Sequence, residues 1–222
     1  MNAAAVLAGG GIGLLFRGKI PAKLSEGITR ALGLCVCVIG VSGAMKGDFM
    51  LLVASLALGA LTGELLNIDG GLNRLGRWLQ GRLSLKDKNS TFAEGFVTST
   101  LLFCVGAMTI VGSIDSGLRN DYSVIFTKSI LDGFSAMVFA SMLGYGVLFS
   151  TVIILLYQGS LEIFAGFMQN ILTTELVTQI SAAGSIMILG IGLNMVLDAK
   201  IRVANLLPGL LCAAAYYCLF LS

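Results

Sequence analysis

Two charged residues in an apolar setting, Lys128 and Asp132, are where this sequence first offers chemistry. They are four residues apart, so on a helix both side chains lie on one face and can touch. Charge among lipid tails is costly unless paired or hydrated, which makes such residues functional candidates. Counted from Asp121 at about 1.5 Å per residue, Lys128 lies ~10 Å and Asp132 ~17 Å along the helix, the latter near the middle of a bilayer. Two uses fit the pair. Asp132 can bind a coupling cation or proton while Lys128 holds an anionic group of a solute, or the two form a neutral ion pair that locks their helix to its neighbours. Softer candidates accompany them. Thr98, Ser99 and Thr100 offer three hydroxyls to a solute, although helical hydroxyls more commonly bond their own backbone carbonyls, which is the favoured expectation. Gln158, Ser160 and Glu162 end an apolar run, with Glu162 suited to the membrane interface. Asn194 and Asn205 flank a charged turn, and Pro208 stands where an apolar helix would be interrupted.

Other chemistries find little footing. The chain has no histidine, which removes the commonest general base and metal ligand. Its five cysteines, Cys35, Cys37, Cys104, Cys212 and Cys218, all sit in apolar runs and read as small packing residues. Cys35 and Cys37 would point about 200° apart on a helix, poorly placed to share a metal. No phosphate-binding loop, nucleophile elbow or zinc pattern is present. No catalytic residue, cofactor or metal is expected, and an enzyme is the weaker reading.

The elements that must position these groups follow from composition. The 222 residues are 56% hydrophobic and only 12% charged, against about 25% charged in soluble domains. Mean hydropathy is +0.92. So few charges cannot cover a water-soluble globule, and the lipid bilayer is the implied partner. Twenty-nine glycines against two prolines suit closely packed membrane helices. A net charge of +2 is too small to suggest nucleic acid. The expected fold is an all-α polytopic transmembrane bundle forming one integral membrane domain. Its apolar segments fall near 2–16, 31–45, 49–66, 95–114, 122–145, 147–165, 181–197 and 203–221, making eight spans, with seven as the competing count. Residues 166–180, with Gln169, Asn170 and Glu175, read as an interfacial or re-entrant piece. Several segments are shorter than the ~20 residues a lipid-exposed helix usually needs.

Basic residues orient this layout. Loops 17–30, 67–94 and 198–202 carry eleven of the fourteen Lys and Arg residues, which makes them cytoplasmic and the amino terminus external. Residues 69–84 place Leu72, Leu75, Leu79 and Leu83 at helical spacing beside Trp78, with Arg74, Arg77 and Arg82 elsewhere on the wheel. That pattern predicts a basic amphipathic helix on the cytoplasmic membrane surface. Recruitment of a cytosolic partner is the rarer use of such a helix.

A repeat is also legible. Residues 28–61 align with 180–213, each an apolar span centred on Ile-Gly (Ile39-Gly40, Ile191-Gly192), a charged turn and a second apolar span. Upstream, Gly11–Phe16 matches Gly144–Phe149 at four of six positions. In the layout above, spans one to three and six to eight run in opposite senses, as in the inverted repeats of many secondary transporters. The division expected is a first repeat over 1–66, the surface helix over 69–84, a central pair of spans over 95–145 and a second repeat over 146–222. Compositional likeness between glycine-rich helix pairs is the competing explanation.

The stretches GFVTSTLLFCVGAMTIVGSIDSGL, KSILDGFSAMVFAS, LLYQGS and the closing GIGLN…KIRVANLLPGLL resemble the bacterial membrane proteins grouped as domain of unknown function 554. The resemblance covers essentially the whole chain. It implies a multi-pass protein of the bacterial cytoplasmic membrane and assigns no activity and no functional residue. The residues themselves suggest a secondary transporter of a small solute, an anion among the candidates, coupled to a proton or cation through Asp132. A structural or signalling membrane protein is the alternative, and a membrane-embedded enzyme ranks behind it. Glycine-rich stretches such as 8–13 make a homo-oligomer a candidate partner arrangement.

Overall fold

A computed structural model describes residues 1–17, 22–82, 91–168 and 173–220. Among the described residues the chain is helical and contains no strand. In order, α1 is Asn2–Phe16, α2 Ala22–Ala44, α3 Phe49–Leu66 and α4 Ile68–Arg82. Then come α5 Thr91–Cys104, α6 Ala107–Arg119, α7 Ser123–Leu143, α8 Gly146–Ile163 and the short α9 Ala165–Met168. Helix α10 is Thr174–Leu197, a 3-10 turn covers Val203–Leu206, and α11 is Pro208–Phe220. Among the described residues, five helices are long and apolar enough to cross a bilayer: α2 from Glu26, α3, α7, α8 and α10. Helices α5 and α6 together make a sixth candidate, and α1 and the Val203–Tyr217 segment are apolar but shorter. The protein is a helical membrane bundle.

Local chemistry explains where the helices begin and end. Asp48 accepts from the Leu51 amide at 2.9 Å and Thr173 from the Leu176 amide at 3.2 Å, capping α3 and α10. Asn67 and Asp198 adopt left-handed backbone and close α3 and α10. Three expectations change here, the first being the span read over 31–45, which begins inside the basic stretch read as a loop because α2 starts at Ala22. The unbroken span read over 95–114 is instead two helices, bent by 58° at residues 105–106. Gly106 is a poor helix former, and the Thr109 hydroxyl donates to the Phe103 carbonyl at 3.1 Å across the break, supplying a donor to a helix-end acceptor. The span read over 181–197 starts earlier, because the Thr173 cap draws residues 174–180 into α10. Gln169 and Asn170 lie outside the described residues. Pro208 does interrupt the last apolar segment, starting α11 after the 3-10 turn, where its missing N–H costs nothing.

The basic surface segment is helical through Arg82, with Arg74 and Trp78 exposed and Leu72 half-buried. The side chains of Leu75, Arg77, Leu79 and Arg82, and residues 83–84, lie outside the described residues.

The chain divides into two compact units. Unit 1 contains Met1–Ser25, Leu72–Cys104 and Met108–Ile171, and so holds α1, α5, most of α6, α7, α8 and α9. In it α1 packs on α7, with Gly9 and Gly13 against the backbone carbonyls of Gly133 and Met137, where any Cβ would collide. These contacts advance together along both helices, so α1 and α7 run parallel. Helix α8 runs parallel to the α5–α6 pair: Gly146 meets Phe92 near its start, and Glu162 meets Gly117 near its end. Phe92 and Phe149 stack with ring centroids 5.4 Å apart. Arg17, at the end of α1, lies over the Tyr145 ring at 5.7 Å.

Unit 2 contains Glu26–Gly71, Val105–Ala107 and Leu172–Ser222. Helix α2 packs antiparallel on α10, with Gly33 against Val196, Gly40 against Leu189 and Gly192 against Cys37. Helix α3 packs antiparallel on α11, with Gly59 against Gly209 and Gly63 against the Asn205 carbonyl. Its core is apolar, formed by Leu51, Leu52, Ala182, Ala183 and Ala213 with Leu56, Ile186 and Leu210 around them.

Candidate functional site

Asp132 is close to halfway along the 21-residue α7, counting from Ser123. It lies beside the first residue of α1, because the glycine-mediated approach of the two parallel helices brings their backbones together. The Asn2 Nδ2 donates to Asp132 Oδ2 at 2.8 Å, and Lys128 Nζ donates to the same oxygen at 2.6 Å. Relative exposures of 1% for Asn2 and 7% for both Lys128 and Asp132 put the trio out of solvent. An ion pair shielded this fully interacts far more strongly than one at a surface, and removing either partner strands the other. The Asn2 Oδ1 is buried without a hydrogen-bond partner. Chemically, the trio presents a carboxylate oxygen on which an ammonium and an amide N–H are already seated, with an unpartnered amide oxygen on Asn2. A cation or proton reaching this Asp132 oxygen must displace that ammonium.

Next to this trio, toward the connection between α6 and α7, unit 1 has a partly open cavity of about 120 Å³. Its wall includes Ala3, one residue from Asn2, and Ile125, one turn before Lys128, together with Ser113, Gln158 and Glu162. Neither Lys128 nor Asp132 is among the described residues lining it. Ser113 Oγ and Gln158 Nε2 are buried and have no hydrogen-bond partner. The Ser116 hydroxyl, in the same wall, donates to the Ser113 carbonyl at 3.2 Å.

The residues singled out from sequence divide between the units. Lys128, Asp132, Thr98, Ser99, Thr100 and Gln158 belong to unit 1, and Asn194 and Asn205 to unit 2. Ser99 is fully buried, and its hydroxyl and that of Thr100 bond nothing. The expectation that they bond their own helix therefore fails for these two. Elsewhere it holds, as where Ser129 donates to the Ile125 carbonyl at 2.7 Å and Ser150 to the Val147 carbonyl at 2.6 Å. Asn194 serves a turn, donating to the Ile201 carbonyl and accepting from the Ile201 amide, both at 2.8 Å. Asn205 accepts from the Asp69 amide at 2.7 Å, supplying an acceptor to the first turn of α4. Glu162 is exposed, as an interfacial residue should be.

Sequence reasoning missed Asn2 and Ser113. Asn2 had a usable signal, being the one polar side chain in the segment 2–16. Ser113 had none, since serine is common in membrane helices. The glycines of 8–13 are largely spoken for within the chain: Gly9, Gly10 and Gly13 meet Gly133, Leu148 and Met137, and only Gly11 has open space. The four described cysteines are free thiols, and among the described residues no cluster suited to a metal occurs.

Comparison with known proteins finds relatives along nearly the whole chain. The chain is 31% identical over 215 residues to the uncharacterized membrane protein YdfK of Bacillus subtilis, covering 95% of this chain and 90% of that one. It is also 31% identical over 217 residues to the uncharacterized protein YqgA of Escherichia coli, covering 96% and 92%. No solved structure matches. The model of the family described as "Protein of unknown function (DUF554)" matches residues 1–218, and the chain belongs to that family.

Proposed function

We propose that this protein is a carrier for a small solute in the bacterial cytoplasmic membrane, coupled to a proton or cation at Asp132. The observation that carries the reading is the buried Lys128–Asp132–Asn2 trio at mid-helix, beside a cavity with two unsatisfied polar groups. Ionisable residues so deep in membrane helices mark ion and substrate routes more often than scaffolding. Two further features support it. The α5–α6 span is broken, as spans beside transporter sites often are. Helices α2 and α3 also match α10 and α11 in position as well as in sequence, with each matched pair packed antiparallel, the relation expected of inverted copies. The upstream match lends no such support, since Gly11–Phe16 ends α1 while Gly144–Phe149 straddles the start of α8.

A second reading has one observation in its favour. The cavity wall stops short of Lys128 and Asp132, as it would if the ion pair were a clamp joining α1 to α7. Proteoliposomes with an entrapped pH-sensitive dye separate the two. Lactate, glycerol and acetamide are added outside in turn, against protein-free vesicles. The carrier reading expects a solute-driven pH change that Asp132→Asn abolishes while the variant still elutes as the wild type does. Unchanged flux in Asp132→Asn excludes coupling at this carboxylate, and failure of the variant to assemble supports the clamp.

A further inference from the structure

We infer that α4 is a docking surface for anionic phospholipid, its apolar stripe entering the bilayer surface while its arginines gather negatively charged headgroups. Such an anchor goes beyond the carrier reading and stands whether or not a solute crosses the membrane.

Depth sets the level at which α4 begins. Helix α3 starts just after the charged turn at residues 46–48. Its 18 residues reach about 27 Å at about 1.5 Å each, close to the ~30 Å hydrocarbon thickness, so Leu66 stands at the opposite interface. Near that end Glu64 meets Arg202 in an exposed ion pair at 3.1 Å, a pairing suited to headgroup level. Asn67 closes α3 in left-handed backbone, and α4 begins at the next residue with no linker. The Asp69 amide donates to Asn205 Oδ1 at 2.7 Å, which ties the first turn of α4 to the 3-10 turn over Val203–Leu206. This join holds the start of α4 where hydrocarbon meets headgroup. In the orientation expected from the basic loops that is the cytoplasmic leaflet, the one with a negative surface potential.

Pattern sets the face. At about 100° per residue, positions 68, 72, 75 and 79, all Ile or Leu, fall within about 60° of arc. Arginine positions 74 and 77 lie about 130° and about 170° from the middle of that stripe, with Trp78 on its flank. Of the side chains described, Arg74 and Trp78 are exposed and Leu72 is half-buried. Among the described residues no other helix packs along α4. A tryptophan between an apolar stripe and a basic face is placed as interfacial tryptophans are.

Charge names the occupant. Helix α4 holds three arginines against one aspartate, and that aspartate, Asp69, is in the first turn beside the positive end of the helix. Each arginine near an anionic surface favours it about fivefold, and a guanidinium can also grip a phosphate through paired N–H bonds. A zwitterionic surface offers the arginines no net charge. The bilayer is already present at this depth and takes both faces of the helix at once.

Trp78 is the only tryptophan in the chain, so its fluorescence reports α4 alone. The full-length protein is reconstituted into vesicles of mixed phosphatidylcholine and phosphatidylglycerol, with the acyl chains of one lipid or the other brominated as quenchers. At equal mole fraction, brominated phosphatidylglycerol is expected to quench Trp78 at least about twofold more strongly than brominated phosphatidylcholine. The triple variant Arg74→Gln, Arg77→Gln, Arg82→Gln loses this preference, and Arg119→Gln, outside α4, keeps it. Raising salt from about 0.01 M to about 1 M removes it from the unaltered protein, as screening shortens from ~30 Å to ~3 Å. Equal quenching by the two lipids overturns the anionic assignment, as does a preference that survives the triple variant or high salt. A Trp78 that neither brominated lipid quenches overturns the docking itself. Emission typical of hydrated indole would then leave α4 in water, open to a soluble partner, and blue-shifted emission would place it against protein.

Discussion

Unit 1 and unit 2 use the same glycine-mediated backbone contacts but fill the space between helices differently. In unit 1 the closest pairs run parallel and hold a buried ion pair, a partly open cavity and six partnerless polar atoms, on Asn2, Ser99, Thr100, Ser113, Thr151 and Gln158. In unit 2 the pairs run antiparallel, and among its described residues only Ser181 and Asn205 carry such atoms. Its ion pairs, Arg202 to Glu64 at 3.1 Å and Arg30 to Glu26 at 2.6 Å, are exposed on both partners. Antiparallel neighbours also set opposite helix dipoles side by side, a mildly favourable arrangement that parallel pairs forgo. Among the described residues, unit 1 thus departs from the rules of stable packing more often than unit 2 does. Local violations of this kind gather where a protein works, because function needs polar groups that folding alone would have removed. Under the proposed function, the contrast makes unit 1 the candidate working part and unit 2 the candidate scaffold.

The sharpest way to break that contrast is to compare one ion pair from each unit. Lys128→Met leaves Asp132 with only Asn2 for company in a solvent-free position and is expected to cost about 3–5 kcal/mol. Adding Asp132→Leu removes the stranded charge, and the double variant should recover most of the loss or exceed the wild type, since apolar replacements of buried pairs are often neutral or stabilising. In unit 2, Arg202→Met should cost no more than about 1 kcal/mol, because both partners are hydrated. Unfolding in detergent measures all three. Equal costs for Lys128→Met and Arg202→Met would mean that water reaches the trio and that the units do not differ as described. Recovery of stability in the double variant with loss of flux would show a charge pair kept for function.

A medium-sized effect tests what the units share. Gly13→Ala in unit 1 and Gly63→Ala in unit 2 each drive a Cβ into a backbone carbonyl, of Met137 and Asn205 respectively. Backbone cannot yield as a side-chain end can, so each should lose about 1–3 kcal/mol. Gly11→Ala meets nothing and should be neutral or gain up to about 1 kcal/mol from helix propensity. If Gly13→Ala proved harmless while Gly63→Ala did not, α1 and α7 would be free to separate, and the trio could not be a fixed constellation. The readout is the unfolding temperature of each variant in one detergent.

Much of this was legible from the chain. Charge scarcity and glycine content gave the membrane bundle, and the apolar runs lie where helices lie, with α1 and α3 matching their expected bounds residue for residue. The Lys128–Asp132 contact followed from four-residue spacing on a helix. What spacing could not give was anything depending on which helix packs on which. Asn2 reaches Asp132 only because α1 runs parallel to α7 across 130 positions of sequence. Ser113 and Gln158 share a wall only because α6 and α8 are neighbours. Asn194 and Asn205 looked like site residues because polar groups near apolar runs are rare, yet their partners are backbone groups of turns, which no periodicity reports. The break at Gly106 was hidden by continuous hydropathy, since Cys104, Val105 and Ala107 are as apolar as their neighbours.

The smallest effect belongs to the connection that borders the cavity in unit 1. Asp121 lies just before α7, where its Oδ1 accepts from the Ser123 amide at 2.9 Å. That backbone donor, followed by the Ser123 hydroxyl, holds the carboxyl below its usual range, with Arg119 contributing less. A carboxylate whose folded pKa is depressed adds stability above its unfolded value and loses it as pH falls through the folded one. Asp121→Ala should therefore lower the unfolding temperature slightly at neutral pH. The gap should begin to narrow below about pH 4, the unfolded value, and close only once pH has fallen beneath the lower folded value, where the carboxylate is protonated in both states. Its full exposure keeps the effect small, and salt should shrink only the part that comes from Arg119. A difference between the two proteins that persisted unchanged into acid would mean that Asp121 acts through packing. The α6–α7 connection would then belong with the rigid scaffold rather than with the polar end of unit 1.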